Sequence, residues 1–347
     1  MDKILYDSII SSDTFSKLAN VVYGQQIRSI NLNDDKYFNY EVIYKNNKTS
    51  LIKIKSFRLK ENDIIYCNTE LINFLFEDLK QARNFKNIIL ITHDSDIPID
   101  KRLFEKKPDC ISQWFAINVN FRHNQLKPIP IGIGGDYLDG YVTKNILDIN
   151  TKLKSKDEKL FLCFSDNTNY RKRSGLKKYF KNFLWSEVIS GTLKTSDYIK
   201  KIKNNKFVLC PEGNGMDTYR IWETLVLGSI PVAQYTPAFY TFKKFPIIFY
   251  SQKEEVNLDM LNKKFKKNIN ADRDFLTIDY WRKEINNYKN HKLNYSLTIF
   301  SNEYLTKKLK EKYLKKRLLN SKTKILKYYT RKYLTPENYF KKLKSFK

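Results

Sequence analysis

The chain alternates short apolar runs with amphipathic stretches. Residues 87–92 form a nearly continuous apolar run, which is typical of a strand buried on both faces of a parallel sheet. After Asn68, apolar residues recur at the three- and four-residue spacing of a helix, and Asn68 is placed to cap it. The other strands that the pattern predicts in the first half are residues 63–67, 114–119 and 129–133.

The alternation starts again after a polar, lysine-rich stretch at residues 148–159, which has the composition of a linker. The predicted strands of the second half are residues 160–164, 207–210, 230–233 and 246–250. The predicted helices are residues 170–180, 196–203 and 217–227. Strands that alternate with helices imply parallel sheets, and ligands of such sheets bind beyond the carboxyl ends of the strands.

The pattern therefore predicts the α/β class, with two Rossmann-like domains at residues 1–150 and 151–295 facing a central cleft. Residues 296–347 differ, because residues 307–347 hold 16 basic and 2 acidic residues and apolar positions recur at helical spacing. We predict a basic, amphipathic helical extension. Two interpretations stay open: a helix docked on the body with a solvated basic face, or a surface that binds an anionic membrane or glycan.

The composition points to a folded, strongly basic protein. The hydrophobic content of 41% and the aromatic content of 15% exclude a wholly disordered chain, and the formal net charge is +27. Such a charge predicts an anionic partner, although heavy use of Lys, Asn, Ile and Tyr is also typical of low-GC genomes. We expect no nucleic-acid partner, because no helix-turn-helix, RNA-recognition or zinc-finger pattern accompanies the charge.

The four cysteines are widely spaced and form no Cys-x-x-Cys pair, so they support neither a zinc site nor a redox motif. Cys163 and Cys210 lie in apolar runs and are predicted core thiols, which suits a reducing compartment. The first 22 residues lack the apolar core of a signal peptide. We expect a cytoplasmic protein, with peripheral binding to the inner face of the membrane as an option for the basic extension.

The most informative stretch is residues 210–232, CPEGNGMDTYRIWETLVLGSIPV. An apolar strand ends at its start, and Gly213 and Gly215 allow close backbone approach or left-handed turns before a helix begins near Asp217. The free N–H groups of such a helix start, at the carboxyl edge of a sheet, bind anions such as a diphosphate.

Arg220 and Glu223 are three residues apart and share one face of this predicted helix. Arg220 suits a phosphate and Glu223 suits the hydroxyls of a ribose. A well-packed strand-to-helix turn with an Arg–Glu surface pair has the same local composition, so these residues alone leave both interpretations open.

The whole string resembles the nucleotide-sugar-binding segment of exostosin-like glycosyltransferases, whose pattern is Pro-x-Gly-x-Gly-x-Asp-x-x-Arg-x-Trp-Glu-x-Leu followed by Gly-x-Ile-Pro-Val. The matching positions are Pro211, Gly213, Gly215, Asp217, Arg220, Trp222, Glu223, Leu225, Gly228, Ile230, Pro231 and Val232. Residues 92–96, 114–120, 128–134 and 161–173 resemble further segments of the family in the same order, so that the resemblance spans residues 87–250.

The resemblance implies a GT-B glycosyltransferase that moves a sugar from a nucleotide diphosphate sugar, a UDP-sugar being favoured, to a glycan or glycolipid acceptor in surface polysaccharide synthesis. Such enzymes generally need no metal. The donor-binding residues that it implies are Arg171, Arg173, Gly213, Asn214, Gly215, Asp217, Thr218, Arg220 and Glu223. An alternative for Arg171 and Arg173 is a solvated helix start.

An inverting transferase also needs a general base for the acceptor hydroxyl. The loop after Thr92 supplies the candidates: Asp96 matches the acidic position of the family best, and Asp94 and His93 are the runners-up. Asp94 departs from the family, where Asn is common, and makes Asp94-Ser95-Asp96 the D-x-D triplet that binds a metal in GT-A enzymes. Mg²⁺ or Mn²⁺ at Asp94 and Asp96 is therefore the minority hypothesis, and simple capping of the next element is a third.

Two other functions stay open. One is transfer of a non-sugar group with the same nucleotide pocket. The other is a non-catalytic nucleic-acid or membrane binder, in which the basic extension is the functional part.

Overall fold

The computed structural model describes residues 8–135, 137, 138, 142, 156–268, 271–289 and 296–333 of the 347-residue chain. The described part is a mixed α/β structure with a seven-stranded sheet, a five-stranded sheet and a two-stranded ribbon. The predicted α/β class is confirmed. Most of the predicted linker lies outside the described residues.

The first half of the chain forms the seven-stranded sheet, whose order is β2-β3-β1-β5-β6-β7-β8. Strands β1, β5, β6, β7 and β8 run parallel, whereas β3 is antiparallel to both β1 and β2. The strands of this half, including β4 outside the large sheet, are β1 (Val21–Arg28), β2 (Tyr40–Lys45), β3 (Thr49–Ile54), β4 (Ser56–Lys60), β5 (Ile64–Asn68), β6 (Ile88–His93), β7 (Ile111–Ala116) and β8 (Leu126–Pro128).

Two of the four strands predicted here are confirmed as β5 and β6, and the third, predicted at residues 114–119, is β7, which begins and ends three residues earlier. The fourth, at residues 129–133, is wrong: the chain pairs with β7 only as far as Pro128, and Ile133 makes an isolated bridge to Ser11. Pro130 has no N–H to donate, so a regular ladder cannot continue through it.

Short helices connect these strands: α1 (Ser12–Ser16), α2 (Ile72–Asp78) and α3 (Lys101–Phe104). The predicted cap at Asn68 is confirmed, because its side-chain oxygen accepts from the Glu70 amide 2.9 Å away in the 3₁₀ turn that precedes α2. Leu71, Leu75 and Leu79 of the predicted apolar face are buried.

The second half forms an all-parallel sheet with the order β10-β9-β11-β12-β13. Its strands are β9 (Asp157–Leu162), β10 (Ser186–Val188), β11 (Asn205–Leu209), β12 (Ile230–Gln234) and β13 (Ile248–Tyr250). Its helices are α4 (Tyr170–Arg173), α5 (Leu176–Phe180), α6 (Thr195–Asn204), α7 (Tyr219–Val226), α8 (Leu258–Asn268) and α9 (Ile278–Asn286).

The single helix predicted at residues 170–180 is two helices, because Gly175 has a φ of +80° and breaks the helical path. Gly228 has a φ of +79° just beyond α7, where the sequence predicts that this helix stops.

One apolar cluster joins the two large sheets. It includes Tyr66 and Ile91 from the first sheet, Val208 from the second, and Trp222 of α7. The four cysteines are all unpaired and buried, which confirms the predicted core thiols Cys163 and Cys210. The two halves of the chain are thus packed against each other over a common core.

The C-terminal segment returns to the first half. Its strand β14 (Ser296–Phe300) pairs antiparallel with β4, and the helix α10 (Glu303–Tyr333) then lies against β2. Leu309 of α10 is 3% exposed and belongs to the core of the first half. The sequence prediction of a helical extension from residue 296 therefore misses a strand. Among the described residues, no helix is long and apolar enough to cross a membrane.

Candidate functional site

A cavity of about 510 Å³ lies between the two large sheets. The loops that follow β6, β9 and β11 line it, so it sits at the carboxyl ends of parallel strands, where α/β sheets bind ligands. The volume is in the range of small-molecule sites. Asp94, Ser95 and Asp96 line it from the first half, and Gly213, Arg220 and Glu223 line it from the second.

Side chains of Arg173 and Asn169 hold the carbonyl groups of the loop after β11. Arg173 donates from Nε to the Glu212 carbonyl (2.8 Å) and from Nη2 to the Pro211 carbonyl (3.3 Å). Asn169 donates to the Gly213 carbonyl at 2.7 Å. Three successive carbonyl oxygens of this loop therefore accept hydrogen bonds from side chains, which partly offsets their negative charge.

Arg220 places a half-buried positive charge in the cavity wall. Its guanidinium lies 5.9 Å from the centre of the Phe164 ring and 6.0 Å from that of Tyr198. Burial lowers its pKa, but the nearby Tyr198, Cys210 and Glu223 raise it by more. The buried Nε atom has no hydrogen-bond partner among the described residues, which is unusual for a buried donor and suits a ligand oxygen.

The start of α7 adds further polar groups. Thr218 is the N-cap residue, and its buried hydroxyl has no partner within the described part of the chain. Glu223, one turn along α7, is 5% exposed, and its carboxylate accepts from the Tyr198 hydroxyl at 3.0 Å. Burial raises the pKa of Glu223, and the charge of Arg220 partly offsets that increase.

Gly213 and Gly215 line the cavity as predicted, but the left-handed turns expected there are absent: neither residue has a positive φ. Gly215 is needed for close approach, since a Cβ atom there would lie 2.7 Å from the Asn118 amide nitrogen. Gly213 has more room, with the Arg173 Nη2 atom 3.3 Å from its ideal Cβ position.

Asp217 joins the two halves of the chain and does not offer free oxygens to the cavity. One carboxylate oxygen accepts from the Ile131 amide at 2.8 Å, the other from the Thr218 amide at 2.8 Å, and the Trp222 indole N–H reaches both. The side chain is 4% exposed. Burial raises the pKa of Asp217 to about 7, even though these hydrogen bonds lower it.

This raised pKa predicts a pH-dependent stability. In the folded protein Asp217 takes up a proton near pH 7, whereas an aspartate carboxyl in the unfolded chain has a pKa of ~3.9. The stability that this proton contributes is fully present below about pH 3.9 and is lost progressively as the pH rises from there through about 7. The free energy of unfolding of the wild type, measured in urea relative to that of Asp217→Asn, should therefore rise by about 2–3 kcal/mol from pH 8 to pH 5. A difference between the two proteins that does not change with pH would contradict this assignment.

Asp94 is held in place by tyrosines. Its oxygens accept from the hydroxyls of Tyr66 and Tyr137, each at 2.8 Å, and its backbone has a φ of +60°. Burial raises the pKa of Asp94, but His93 and the two hydroxyls lower it by more, so the net pKa is below the usual value. Asp94 is thus an ionised carboxylate with both oxygens engaged, which makes it a weak base.

The structure separates the other two base candidates. Asp96 is exposed and lines the cavity. His93 is fully buried and does not line the cavity. Its Nδ1 atom lies 3.2 Å from a carboxylate oxygen of Asp94, and its Nε2 atom lies 3.3 Å from the Pro130 carbonyl oxygen. Among the described residues, no group of three or more His, Cys, Asp or Glu side chains is arranged to hold a metal ion.

The two predicted arginines of the 161–173 segment have different positions. Arg173 is 5% exposed and its donors are used by the loop, so its charge reaches the cavity while its hydrogen bonds do not. Arg171 is exposed and lies outside the cavity wall. Asn214 is exposed and lies in the wall. Arg171 therefore fits the alternative of a solvated helix start.

Several residues of the site were missed from the sequence. The side chains of Asn118 and Asn169 donate to carbonyl groups of loops that line the cavity. Three tyrosine hydroxyls donate to carboxylates: those of Tyr66 and Tyr137 to Asp94, and that of Tyr198 to Glu223. Asn169 carried a local signal, because it precedes a helix and accepts from the Lys172 amide as its cap. The tyrosines carried no local sequence signal, since the carboxylates that they contact are distant in the sequence.

Comparison with known proteins gives one family-level match. A family model described as the RXYLT1 C-terminal domain matches residues 158–239. That segment contains Arg173, the loop after β11, Arg220 and Glu223, and the match supports a glycosyltransferase. It covers less than a quarter of the chain. No curated protein matches the chain.

Among solved structures, one titled "Crystal structure of GtfA/B complex" is 10% identical, with a TM-score of 0.35. The alignment covers 72% of this chain, and the chain spans 65% of the length of that one. A likeness of this size does not define a shared fold.

Proposed function

We propose that the protein is a glycosyltransferase of the GT-B type that binds a nucleotide diphosphate sugar, a UDP-sugar first, in the cavity between its two large sheets. The observation that carries the proposal is the Arg220 guanidinium in the cavity wall, whose buried Nε atom has no partner among the described residues. A diphosphate oxygen is a suitable acceptor for this donor, and burial strengthens the attraction.

The surroundings of Arg220 support a diphosphate over a neutral ligand. Arg173 adds a second positive charge at the cavity, close enough to Arg220 that their repulsion contributes to lowering the Arg173 pKa to about 10, after burial itself. The Thr218 hydroxyl and the start of α7 lie on the same wall. Together these groups offset the charge that develops on the leaving diphosphate.

The acceptor, a glycan or glycolipid, would approach from the side of the first sheet. Asp96 is the preferred general base, because it is exposed, lines the cavity and, within the described part of the chain, has no side-chain partner of the kind that holds Asp94. Asp94 would act as a fixed negative charge near the reaction centre. We expect transfer without a metal, since the positive groups in the opposite wall supply the charge that a metal ion would supply in other enzymes.

The basic helix α10 gives the protein a second surface for anions. Between residues 303 and 319 it carries seven basic and two acidic residues, most of them exposed. We propose that this face holds the enzyme near an anionic membrane where the acceptor is made, on the cytoplasmic side.

The proposal is tested by measuring the release of nucleoside diphosphate from a panel of nucleotide sugars, with and without a mixture of short glycan acceptors, in EDTA and in Mg²⁺. We expect one donor to be turned over in EDTA, a glycosylated product to be visible by mass, and Asp96→Asn to lower the rate by about 10²–10⁴-fold. Activity that requires Mg²⁺ would favour the metal hypothesis at Asp94 and Asp96. A product that carries a non-sugar group, or no turnover of any donor, would contradict the proposal.

A further inference from the structure

Asn118 connects the two loops on opposite sides of the cavity. Its side-chain nitrogen donates to the Ser95 carbonyl at 3.1 Å, in the loop that carries Asp94 and Asp96. Its side-chain oxygen accepts from the Asp217 amide at 3.0 Å, in the loop that leads into α7. The residue is 1% exposed and has a φ of +54°, a backbone conformation that asparagine tolerates better than most residues.

Asn118 also packs closely against the loop that leads into α7. Gly215 packs so closely on Asn118 that a Cβ atom would meet three of its side-chain atoms within 3.0 Å. Asp217, whose amide Asn118 holds, reaches back to the Ile131 amide of the first half with its carboxylate. The loop that contacts the donor and the loop that carries the base are therefore joined by one side chain with a hydrogen bond to each.

We propose that Asn118 is a positioning residue that couples the two sides of the cavity, so that a nucleoside diphosphate bound at Gly213, Gly215 and Arg220 orders the loop of Asp94 and Asp96 for the acceptor. This inference rests on the proposed function. It follows because neither loop can shift without stretching a buried hydrogen bond to Asn118, and a ligand that fixes one loop must then restrict the other.

Two variants interrupt the connection in different ways. Asn118→Asp keeps the size, the backbone preference and the acceptor for the Asp217 amide, but it replaces the donor to Ser95 with a second oxygen. Asn118→Gly removes both side-chain hydrogen bonds and keeps the left-handed backbone conformation without strain. Asn120→Asp makes the same change two residues on at an exposed position, and serves as the matched control.

The experiment is hydrogen–deuterium exchange of the full chain with and without uridine diphosphate, or the nucleoside diphosphate that stabilises the wild type most. In the wild type and in Asn120→Asp, we expect the nucleotide to slow exchange at least threefold in residues 213–227 and in residues 93–99. In Asn118→Asp and Asn118→Gly, protection should persist in residues 213–227 and be lost in residues 93–99.

Each other result has a distinct meaning. Protection of both segments in both variants, or of residues 213–227 alone in the wild type, would overturn the coupling and leave the proposed function standing. An absence of nucleotide protection in residues 213–227 of the wild type would overturn the donor site, and the coupling with it. A change in exchange that is the same with and without nucleotide would show a structural role only, and would overturn the positioning role.

Discussion

Replacing Arg220 by alanine should abolish the response of the protein to nucleoside diphosphates and lower turnover by about 10²–10³-fold, the usual effect of removing one preorganised charge-stabilising donor. The physical reason is the position of Arg220: its guanidinium lies in the cavity wall, and its buried Nε atom has no partner among the described residues. Calorimetric binding of the diphosphate and the release assay measure the two effects separately.

Two controls sharpen this prediction. Arg171→Ala removes an exposed arginine outside the cavity wall, and it should change both quantities less than about threefold. Arg220→Lys keeps the charge but loses the planar donor pair, so it should recover only part of the affinity. Wild-type affinity in Arg220→Ala, or an equal loss in Arg171→Ala, would contradict the assignment of the donor site.

Removing the chain after residue 295 should unfold the first half of the protein. This truncation deletes β14, together with Ile299 and Leu309, which are 0% and 3% exposed in the core of that half. It also leaves the fully buried Lys53 without the Thr306 hydroxyl, which lies 3.2 Å from its amino group. Removing a buried aliphatic side chain lowers the free energy of unfolding by about 2–5 kcal/mol. The total loss is therefore comparable with the ~5–15 kcal/mol that keeps a typical domain folded.

A chain that ends after residue 319 is the matched control, because it keeps each of these contacts. Urea unfolding should give it a midpoint close to that of the full chain, whereas the chain that ends at residue 295 should show no cooperative transition or a much lower midpoint. Equal midpoints for the two truncations would contradict the integral position of β14 and of the first turns of α10.

The sequence predicts strands with an uninterrupted apolar run, whereas β3, which is buried at five of its six positions, was missed because Lys53 interrupts its run. Strand β6 is buried at each position, and a continuous apolar run of that length has few alternatives. Strands β2 and β14 were missed because each has a single fully buried position. Lys53 is a charged residue that the sequence gives no reason to bury, and its partners Asp78 and Thr306 come from distant parts of the chain.

In the candidate site, too, the residues with a local sequence signal could be predicted and the contacts between distant residues could not. Arg220, Glu223 and the loop before them lie within one short stretch, so local spacing and the family resemblance could place them together. The hydrogen bonds that join the two halves could not be predicted, since Asp217 is 86 residues from Ile131 and 99 from Asn118. The motif therefore predicts Asp217 as a donor-binding residue, whereas its carboxylate accepts hydrogen bonds from the protein itself.

The most direct test of the central claim is thermal unfolding of the full chain with a panel of nucleoside diphosphates in EDTA. If the cavity between the sheets is a donor site, one diphosphate at about 100 times its dissociation constant should stabilise the protein by about 2.7 kcal/mol, a clear rise in melting temperature. We predict this rise for uridine diphosphate, and its absence in Arg220→Ala. No rise with any diphosphate in the wild type, or the same rise in Arg220→Ala, would contradict the claim.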